Sequence, residues 1–194
     1  SCGDPRKRPA NHNLLEAFDA QGRRVLNIHL PWSNGNVYWD AGRDPSNGAL
    51  DRIEKAGFEG NYEGRWNHWA FVKDGSTGVM RIYVNGELFH EGSGKTRPFT
   101  GITRFILGGG NAGSYPGVLD EVRIWNTALD QTEIGAWLRR QVTHTHAKYE
   151  NLIAYYNAEM DQSPFIAIDG SISALHGVKT GLPTRIRLFG HMLG

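Results

Sequence analysis

Short runs of alternating hydrophobic and polar positions follow one another along this chain, and they predict a protein built of β-strands. In the clearest run, residues 79–84, hydrophobic side chains at positions 80, 82 and 84 share one face. Arg81 and Tyr83 occupy the other face. Similar runs predict strands over residues 25–30, 37–41, 66–72, 87–90, 104–108, 118–125 and 149–156.

Turn signals occupy the segments between these runs, except for residues 131–140 and residues 42–64. Asn85-Gly86 predicts a tight hairpin, because both of its turn positions need positive φ. Residues 131–140 instead show helical spacing after a capping-box pattern that begins at Asp130, which predicts a short helix. Residues 42–64 have no clear period, and we expect a long irregular loop there with at most one helical turn over 51–56.

Three motifs in this order resemble a known family. They are Gly64-Arg65-Trp66-Asn67-His68-Trp69-Ala70-Phe71, Met80-Arg81-Ile82-Tyr83-Val84-Asn85-Gly86, and Gly117-Val118-Leu119-Asp120-Glu121-Val122-Arg123-Ile124-Trp125-Asn126, the last followed by Ala128-Leu129 and Glu133-Ile134. Together they resemble the laminin-G-like members of the concanavalin A-like lectin and glucanase jelly rolls. The resemblance covers about residues 14–140 and implies an all-β fold, an antiparallel β-sandwich of two packed sheets. It also implies secretion or a place on the cell surface, often within a large bacterial protein.

The resemblance divides the chain into two parts. We expect the sandwich within residues 1–142, where the family's usual opening strand is missing or cut short. Residues 143–194 begin with a polar linker. They then supply either a closing edge strand or the start of a following module of the same kind.

Composition and charge exclude several classes of function. Lys and Arg number 21 against 20 Asp and Glu, and no basic stripe is visible, so we expect no nucleic-acid binding. No apolar run approaches the roughly 20 residues that a membrane-spanning helix needs. Cys2 is the only cysteine, which excludes an internal disulfide and a cysteine-built zinc site and leaves open whether it carries a lipid.

Aromatic residues near the first hairpin are the candidate ligand-binding site. Trp32 follows Pro31 in a loop and precedes polar residues such as Asn34, so it is either an exposed platform for a sugar or a cover for its own loop. Tyr38 and Trp39 complete the candidate set, and at most one of them reaches the surface because neighbours in a strand point to opposite faces. The tryptophans inside the motifs, Trp66 and Trp125, are expected to fill the core, and Trp137 to dock the helix.

Calcium is the ion that the resemblance implies. It needs several oxygen ligands that converge from loops. Asp40, Asp44 and Asp51 flank the predicted long loop and are the candidate metal ligands, with ordinary solvated turn carboxylates as the alternative.

Nothing in the sequence supports catalysis. Glucanases of this fold carry carboxylates at alternate positions along one strand, and no such run occurs here. His144 and His146 with Glu150 offer too few ligands for a metal centre and are expected to be solvated. We therefore expect a non-catalytic extracellular module that binds a glycan or a surface protein ligand. The alternatives are a structural spacer between neighbouring modules of the same chain and, third, a domain associated with a glycan hydrolase.

Overall fold

The structure is a computed structural model, and it describes residues 2–3, 9–57, 63–99, 101–157, 166–167, 171 and 177–178. The chain forms two compact units. The first comprises Ser1–Leu119 and Thr127–Thr145, and the second comprises Asp120–Asn126 and His146–Gly194. The sequence predicts a boundary after residue 142, whereas the second unit also takes the short segment from Asp120 to Asn126.

The first unit holds the strands from β1 to β10 and a helix. They are β1 Cys2–Gly3, β2 Leu15–Asp19, β3 Arg24–His29, β4 Asn36–Arg43, β5 Leu50–Ala56, β6 Trp69–Asp74, β7 Val79–Val84, β8 Glu87–Gly92, β9 Ile102–Leu107, β10 Gly117–Val118 and α1 Gln131–Trp137. The second unit holds β11 Val122–Trp125, a 3-10 helix Tyr149–Asn151, β12 Leu152–Tyr156, β13 Ile166–Ala167 and β14 Gly177–Val178. Within the described ranges, no helix has both the length and the apolar character needed to cross a bilayer.

Two antiparallel sheets form the body of the first unit. One has five strands in the order β5-β4-β3-β2-β9, and the other has three in the order β6-β7-β8. One core joins them, with Ile28 and Trp39 from the five-stranded sheet packed in the same cluster as Met80 and Ile82 from the other. This confirms the predicted antiparallel sandwich.

Local signals correctly predicted the centre of the three-stranded sheet. Met80 and Ile82 on β7 are fully buried, as their alternation predicts. Asn85 and Gly86 form the turn with φ of 53° and 87°. A Cβ on Gly86 would lie 3.0 Å from the Leu138 side chain, so glycine also allows the end of α1 to approach this turn.

The prediction of a long irregular loop over residues 42–64 is wrong for residues 50–56. These residues form β5, which pairs with β4 from Leu50 opposite Arg43 to Ala56 opposite Asn36. Asp51 and Ile53 are buried while the residues between and after them are exposed. Charged residues on the solvent side of an edge strand weaken its hydrophobic pattern, and the pairing with β4 decides the conformation instead.

The single strand predicted over residues 118–125 is interrupted. β10 ends at Val118 and β11 begins at Val122. Between them Glu121 has φ of 53°, a left-handed conformation that a strand cannot continue through. The hydrophobic pattern runs on across this break, so periodicity alone could not detect it.

Helix α1 begins with the predicted capping box. The Asp130 side chain accepts a hydrogen bond from the Glu133 N–H at 2.8 Å, and the Glu133 side chain accepts one from the Asp130 N–H at 2.9 Å. Ile134 is the buried residue of the helix and packs with Val72 and Tyr83. The helix ends at Trp137, three residues before the predicted end.

Substitution Asp130→Ala is expected to lower the free energy of unfolding by about 1 kcal/mol, because it removes the acceptor for a helix N-terminal N–H. Urea denaturation followed by circular dichroism measures the change. Asp130→Asn keeps a capping oxygen and should retain most of the stability. Equal losses for the alanine and asparagine variants would contradict a capping role.

Candidate functional site

A row of polar side chains crosses the face of the five-stranded sheet that points away from the three-stranded sheet. Glu16 pairs with Asn27, Asn27 with Asp40, and Asp40 with Arg52 in adjacent strands. Neighbouring strands are about 4.8 Å apart, so these four residues, here called the central row, lie side by side. Glu16 and Asp40 are 0% exposed and Asn27 is 1% exposed. Polar groups buried to this degree need partners.

Arginines hold both carboxylates of the central row. Arg24 Nη1 lies 3.0 Å from Glu16 Oε1. The Arg52 guanidinium donates two hydrogen bonds to Asp40, at 2.6 and 2.8 Å, and these raise the pKa of Arg52. Half of the Arg52 side chain remains exposed, at 50%. The buried carboxylates therefore fix the position of arginines whose outer surfaces reach solvent.

The loop after β9 closes over one end of this row. The backbone N–H of Asn111 donates to Glu16 Oε2 at 2.8 Å. A Cβ on Gly110 would collide with the same carboxylate oxygen. Glycine at this position is what allows the loop to approach Glu16.

Beside the central row, an aromatic cluster of His29, Trp32, Asn34 and Tyr38 forms at the β3–β4 hairpin. The His29 ring centroid lies 4.1 Å from that of Trp32 and 5.9 Å from that of Tyr38. Asn34 Nδ2 donates to the Tyr38 hydroxyl at 2.9 Å, and the Arg52 guanidinium lies 4.8 Å above the Tyr38 ring. Trp32 and Tyr38 are partly exposed and Asn34 is exposed. The structure thus brings together three of the four residues predicted to bind a ligand.

Trp39 does not belong to this cluster, so its assignment as a ligand-binding residue is wrong. It is 3% exposed, its ring lies 5.7 Å from that of Phe71, and its Nε1–H donates to the Val72 carbonyl at 3.3 Å. The expectation that at most one of the pair reaches the surface is met, and Tyr38 is that residue. Alternation along β4 sends the two rings to opposite faces.

The three candidate calcium ligands do not converge. Asp40 is held by Arg52 on the outer face, and Asp44 accepts hydrogen bonds from Ser46 within its own turn at 2.6 and 2.9 Å. Asp51 lies on the opposite side of the sheet from Asp40, because it pairs with Ala41, the next residue along β4. In the part of the chain that the structure describes, no three His, Cys, Asp or Glu side chains are grouped to hold a metal. These aspartates do not fit a calcium site, and calcium binding stays a prediction without assigned ligands.

His29 and its neighbour His12 are residues that the sequence analysis missed. Asn27 and His29 occupy alternate polar positions within a predicted strand, a signal that the outer face of β3 is polar. Both histidines are buried. Burial lowers the pKa of His29, and burial together with the charge of His29 lowers the pKa of His12 to about 4. Both rings are therefore neutral at neutral pH.

Two tryptophans outside the hairpin differ in their surroundings. Trp66, predicted to fill the core, is 43% exposed, so that prediction is wrong. In the second unit Trp125 packs on His146, with ring centroids 4.6 Å apart. His146 is 3% exposed, and the expectation of a solvated side chain is wrong for it, whereas His144 is exposed.

The sequence matches a laminin-G family model described as the concanavalin A-like lectin/glucanases superfamily over residues 5–135. This match confirms the resemblance carried by the three motifs. No curated protein sequence matches the chain.

Solved structures that match parts of this chain come from several bacteria. A Bacteroides ovatus protein with a proposed role in carbohydrate binding is 19% identical, with a TM-score of 0.59 over 90% of this chain and 50% of that chain. This chain therefore spans half the length of that protein. The CBM40 of Ruminococcus gnavus IT-sialidase, solved with α2,6-sialyllactose, is 16% identical, with a TM-score of 0.41 over 57% of this chain and 65% of that chain. An S-layer domain-containing protein of Clostridium thermocellum is 20% identical, with a TM-score of 0.36 over 66% of this chain and 62% of that chain.

Proposed function

Because this chain belongs to the concanavalin A-like lectin/glucanase superfamily, we propose that its first unit is a non-catalytic carbohydrate-binding module of a secreted or cell-surface protein. In this proposal the saccharide binds at the aromatic cluster. The observation that carries this proposal is the grouping of the partly exposed Trp32 and Tyr38 rings with the Asn34 amide and the Arg52 guanidinium. Ligand sites of this type combine an apolar surface with a few placed polar groups.

The rings supply the apolar part of the site. A sugar ring has one face of C–H groups that packs on an aromatic side chain, and Trp32 offers the largest such surface of the cluster. The His29 ring contacts the Trp32 ring, with centroids 4.1 Å apart and planes tilted by 54°, and this contact restrains the tryptophan before a ligand arrives. A held ring loses little freedom on binding, which favours affinity.

The polar groups of the cluster are mainly donors. The Asn36 N–H donates to Asn34 Oδ1 at 3.0 Å, which turns Asn34 Nδ2 toward the Tyr38 hydroxyl. That hydroxyl accepts from Asn34, so its own hydrogen is left to donate to a ligand. Arg52 donates hydrogen bonds from Nε and Nη2 to the Asp40 carboxylate. Among the residues that the structure describes, its Nη1 has no hydrogen-bond partner. Donors arranged in this way suit the hydroxyl and carboxylate oxygens of saccharides.

The state of the carboxylates supports binding without catalysis. Glycoside hydrolysis needs one carboxyl group as a proton donor and a second as a base or nucleophile. Glu16 and Asp40 are the carboxylates of the central row, and each is fully buried against an arginine. Neither carboxylate is exposed to a substrate in solution.

Substitution Trp32→Ala is expected to weaken saccharide binding at least about tenfold, because it removes the main stacking surface. The measurement is an oligosaccharide array that includes lactose, α2,3-sialyllactose and α2,6-sialyllactose, probed with the full chain in calcium and in EDTA. Trp66→Ala is the matched control, since Trp66 is 43% exposed and is not part of the cluster.

Two outcomes would contradict the proposed site. One is binding by the parent chain that Trp32→Ala leaves unchanged. The other is loss of binding in Trp66→Ala alone. Binding that disappears in EDTA would support the calcium prediction and would require ligands other than Asp40, Asp44 and Asp51.

Strand β9 supports a second candidate function, that of a structural spacer that contacts another protein module. Phe105 and Leu107 lie two positions apart on one face of β9 and are 41% and 40% exposed. Adjacent exposed apolar side chains favour contact with another protein. A folded parent chain that binds no array saccharide in calcium or in EDTA would favour this function.

A further inference from the structure

A continuous chain of hydrogen bonds, here called the relay, runs behind the aromatic cluster. It begins at the backbone N–H of Ala112, which donates to Asn13 Oδ1 at 2.8 Å. Asn13 Nδ2 donates to Asn27 Oδ1 at 2.6 Å, and Asn27 Nδ2 lies 2.7 Å from His29 Nε2. The relay ends where His29 Nδ1 lies 2.6 Å from the backbone oxygen of His12.

The two ends of the relay determine its direction. The Ala112 N–H can only donate, so the Asn13 atom that it meets is the oxygen, and the Asn13 amide nitrogen faces Asn27. By the same reasoning the Asn27 oxygen faces Asn13, and its nitrogen faces His29. His29 Nε2 must therefore accept, and Nδ1 carries the proton that is donated to the His12 carbonyl. The backbone oxygen at the far end can only accept, which agrees with this assignment.

Asn27 cannot turn over to accommodate a second proton on His29. Its Nδ2 also lies 3.4 Å from Asp40 Oδ2, so a flipped amide would place its oxygen beside that carboxylate. The flip would also direct an N–H group of Asn27 at an N–H group of Asn13. A proton on His29 Nε2 would instead meet the Asn27 N–H, so protonation of His29 breaks the relay in either case.

We propose that His29 is a positioning residue for the saccharide site, which holds the Trp32 ring as the neutral Nδ1–H tautomer and releases it when protonated. This inference rests on the proposed function for its link to saccharide binding. The link to Trp32 rests on the ring contact at 4.1 Å and needs no ligand. Acidification is then expected to switch the site off.

The charges around His29 set the direction of the switch. Burial lowers the pKa of His29 most, and the Arg24 and Arg52 guanidiniums lower it further. The hydrogen bond to the His12 carbonyl and the charge of the Asp40 carboxylate raise it. Arg52 already engages Asp40, and Arg24 engages Glu16, so both carboxylates of the central row are paired with arginines. Because the folded pKa lies below 6.5, the unfolded state takes up its proton first as the pH falls. The stability that neutral His29 provides is therefore present above pH 6.5 and decreases below it.

The relay is tested without a ligand by nitrogen-15 NMR of the histidine and tryptophan side chains of the full chain. At pH 7 we expect His29 as the Nδ1–H tautomer with an unprotonated Nε2. On acidification the Trp32 indole signal should change with the same midpoint as the His29 ring. An Nε2–H tautomer at pH 7, or a Trp32 signal that does not follow His29, would overturn the inference. These spectra use the parent chain and do not depend on a variant that folds.

The link to binding is tested with His29→Gln, whose amide can donate and accept but does not titrate. For the parent chain, affinity for lactose or sialyllactose should fall about tenfold per pH unit below the midpoint of His29 titration. The reason is that only chains with a neutral His29 ring can bind the saccharide. In His29→Gln this pH dependence should disappear, whereas the exposed control His144→Gln should retain it. A parent affinity that is the same at pH 7 and below the midpoint would overturn the inference and leave the proposed function intact. If the parent chain binds none of the saccharides on the array, the proposed function fails. In that case the pH dependence of the Trp32 indole signal alone tests the role of His29.

Discussion

Substitution Trp39→Ala is expected to lower the free energy of unfolding of the first unit by about 3–5 kcal/mol. The side chain is 3% exposed and lies in the core between the two sheets. Its removal loses the transfer free energy of the ring and leaves a cavity that the surrounding sheets cannot fully close. It also leaves the Val72 carbonyl without the Nε1–H donor at 3.3 Å. Urea denaturation at neutral pH measures the loss.

The neighbouring residue provides the matched control for this prediction. Tyr38→Ala removes an aromatic ring from the outer face of the same strand, where the ring is partly exposed. We expect a small change in stability together with weaker saccharide binding, because the ring belongs to the aromatic cluster. If Trp39→Ala were as stable as the parent chain and had lost only binding, the core assignment of Trp39 would be wrong. A large loss of stability in Tyr38→Ala would contradict the placement of the ring at the surface.

Substitution Asp51→Ala is expected to destabilise the first unit by about 3–5 kcal/mol, because it leaves a buried lysine without its carboxylate. Lys73 Nζ lies 2.8 Å from Asp51 Oδ2, and their side chains are 3% and 1% exposed. Arg97 also donates its backbone N–H to Asp51 at 2.8 Å. No second carboxylate of the described residues pairs with Lys73, so its charge would remain buried and uncompensated. Thermal and urea denaturation of the full chain measure the effect.

The pH dependence of this contribution follows from the pKa of Asp51. Burial alone would raise that pKa, but the hydrogen bonds from Lys73 and Arg97 outweigh burial and lower it below 3.8. A lowered carboxyl pKa means that the stabilisation is present above pH 3.8 and is lost as the pH falls through the folded value. The difference in stability between the parent chain and Asp51→Ala should therefore shrink in acid.

Asp44→Ala is the control for Asp51→Ala. Both aspartates are candidate calcium ligands from the sequence, but the Asp44 side chain accepts hydrogen bonds from Ser46 within its own exposed turn. It should leave stability nearly unchanged. The same denaturation curves in EDTA and in calcium test the metal prediction directly. If chelation destabilised the parent chain as much as Asp51→Ala does, Asp51 would act through a metal and the ion-pair explanation would be wrong.

Features that depend on neighbours in sequence were predictable from the sequence. The Asn85-Gly86 turn and the Asp130 capping box are decided within four residues by backbone conformation and local hydrogen bonds. The alternation in β7 was predictable for the same reason, because a buried face requires an apolar residue at every second position. Residues 50–56 were misjudged because edge-strand charges give no such pattern, and pairing with β4 supplies the missing information.

The candidate ligand site was only half predictable, because part of it depends on contacts between distant segments of the chain. The sequence by itself placed Trp32, Asn34 and Tyr38 in one hairpin, and it established that Tyr38 and Trp39 face opposite ways. Only the tertiary structure decided which of those two faces the core, since that depends on where the second sheet packs. Only the tertiary structure joined Asp51 to Arg97, 46 residues away, and Ala112 to Asn13, 99 residues away. Contacts over such distances arise from the packing of sheets and loops, which local propensity does not encode.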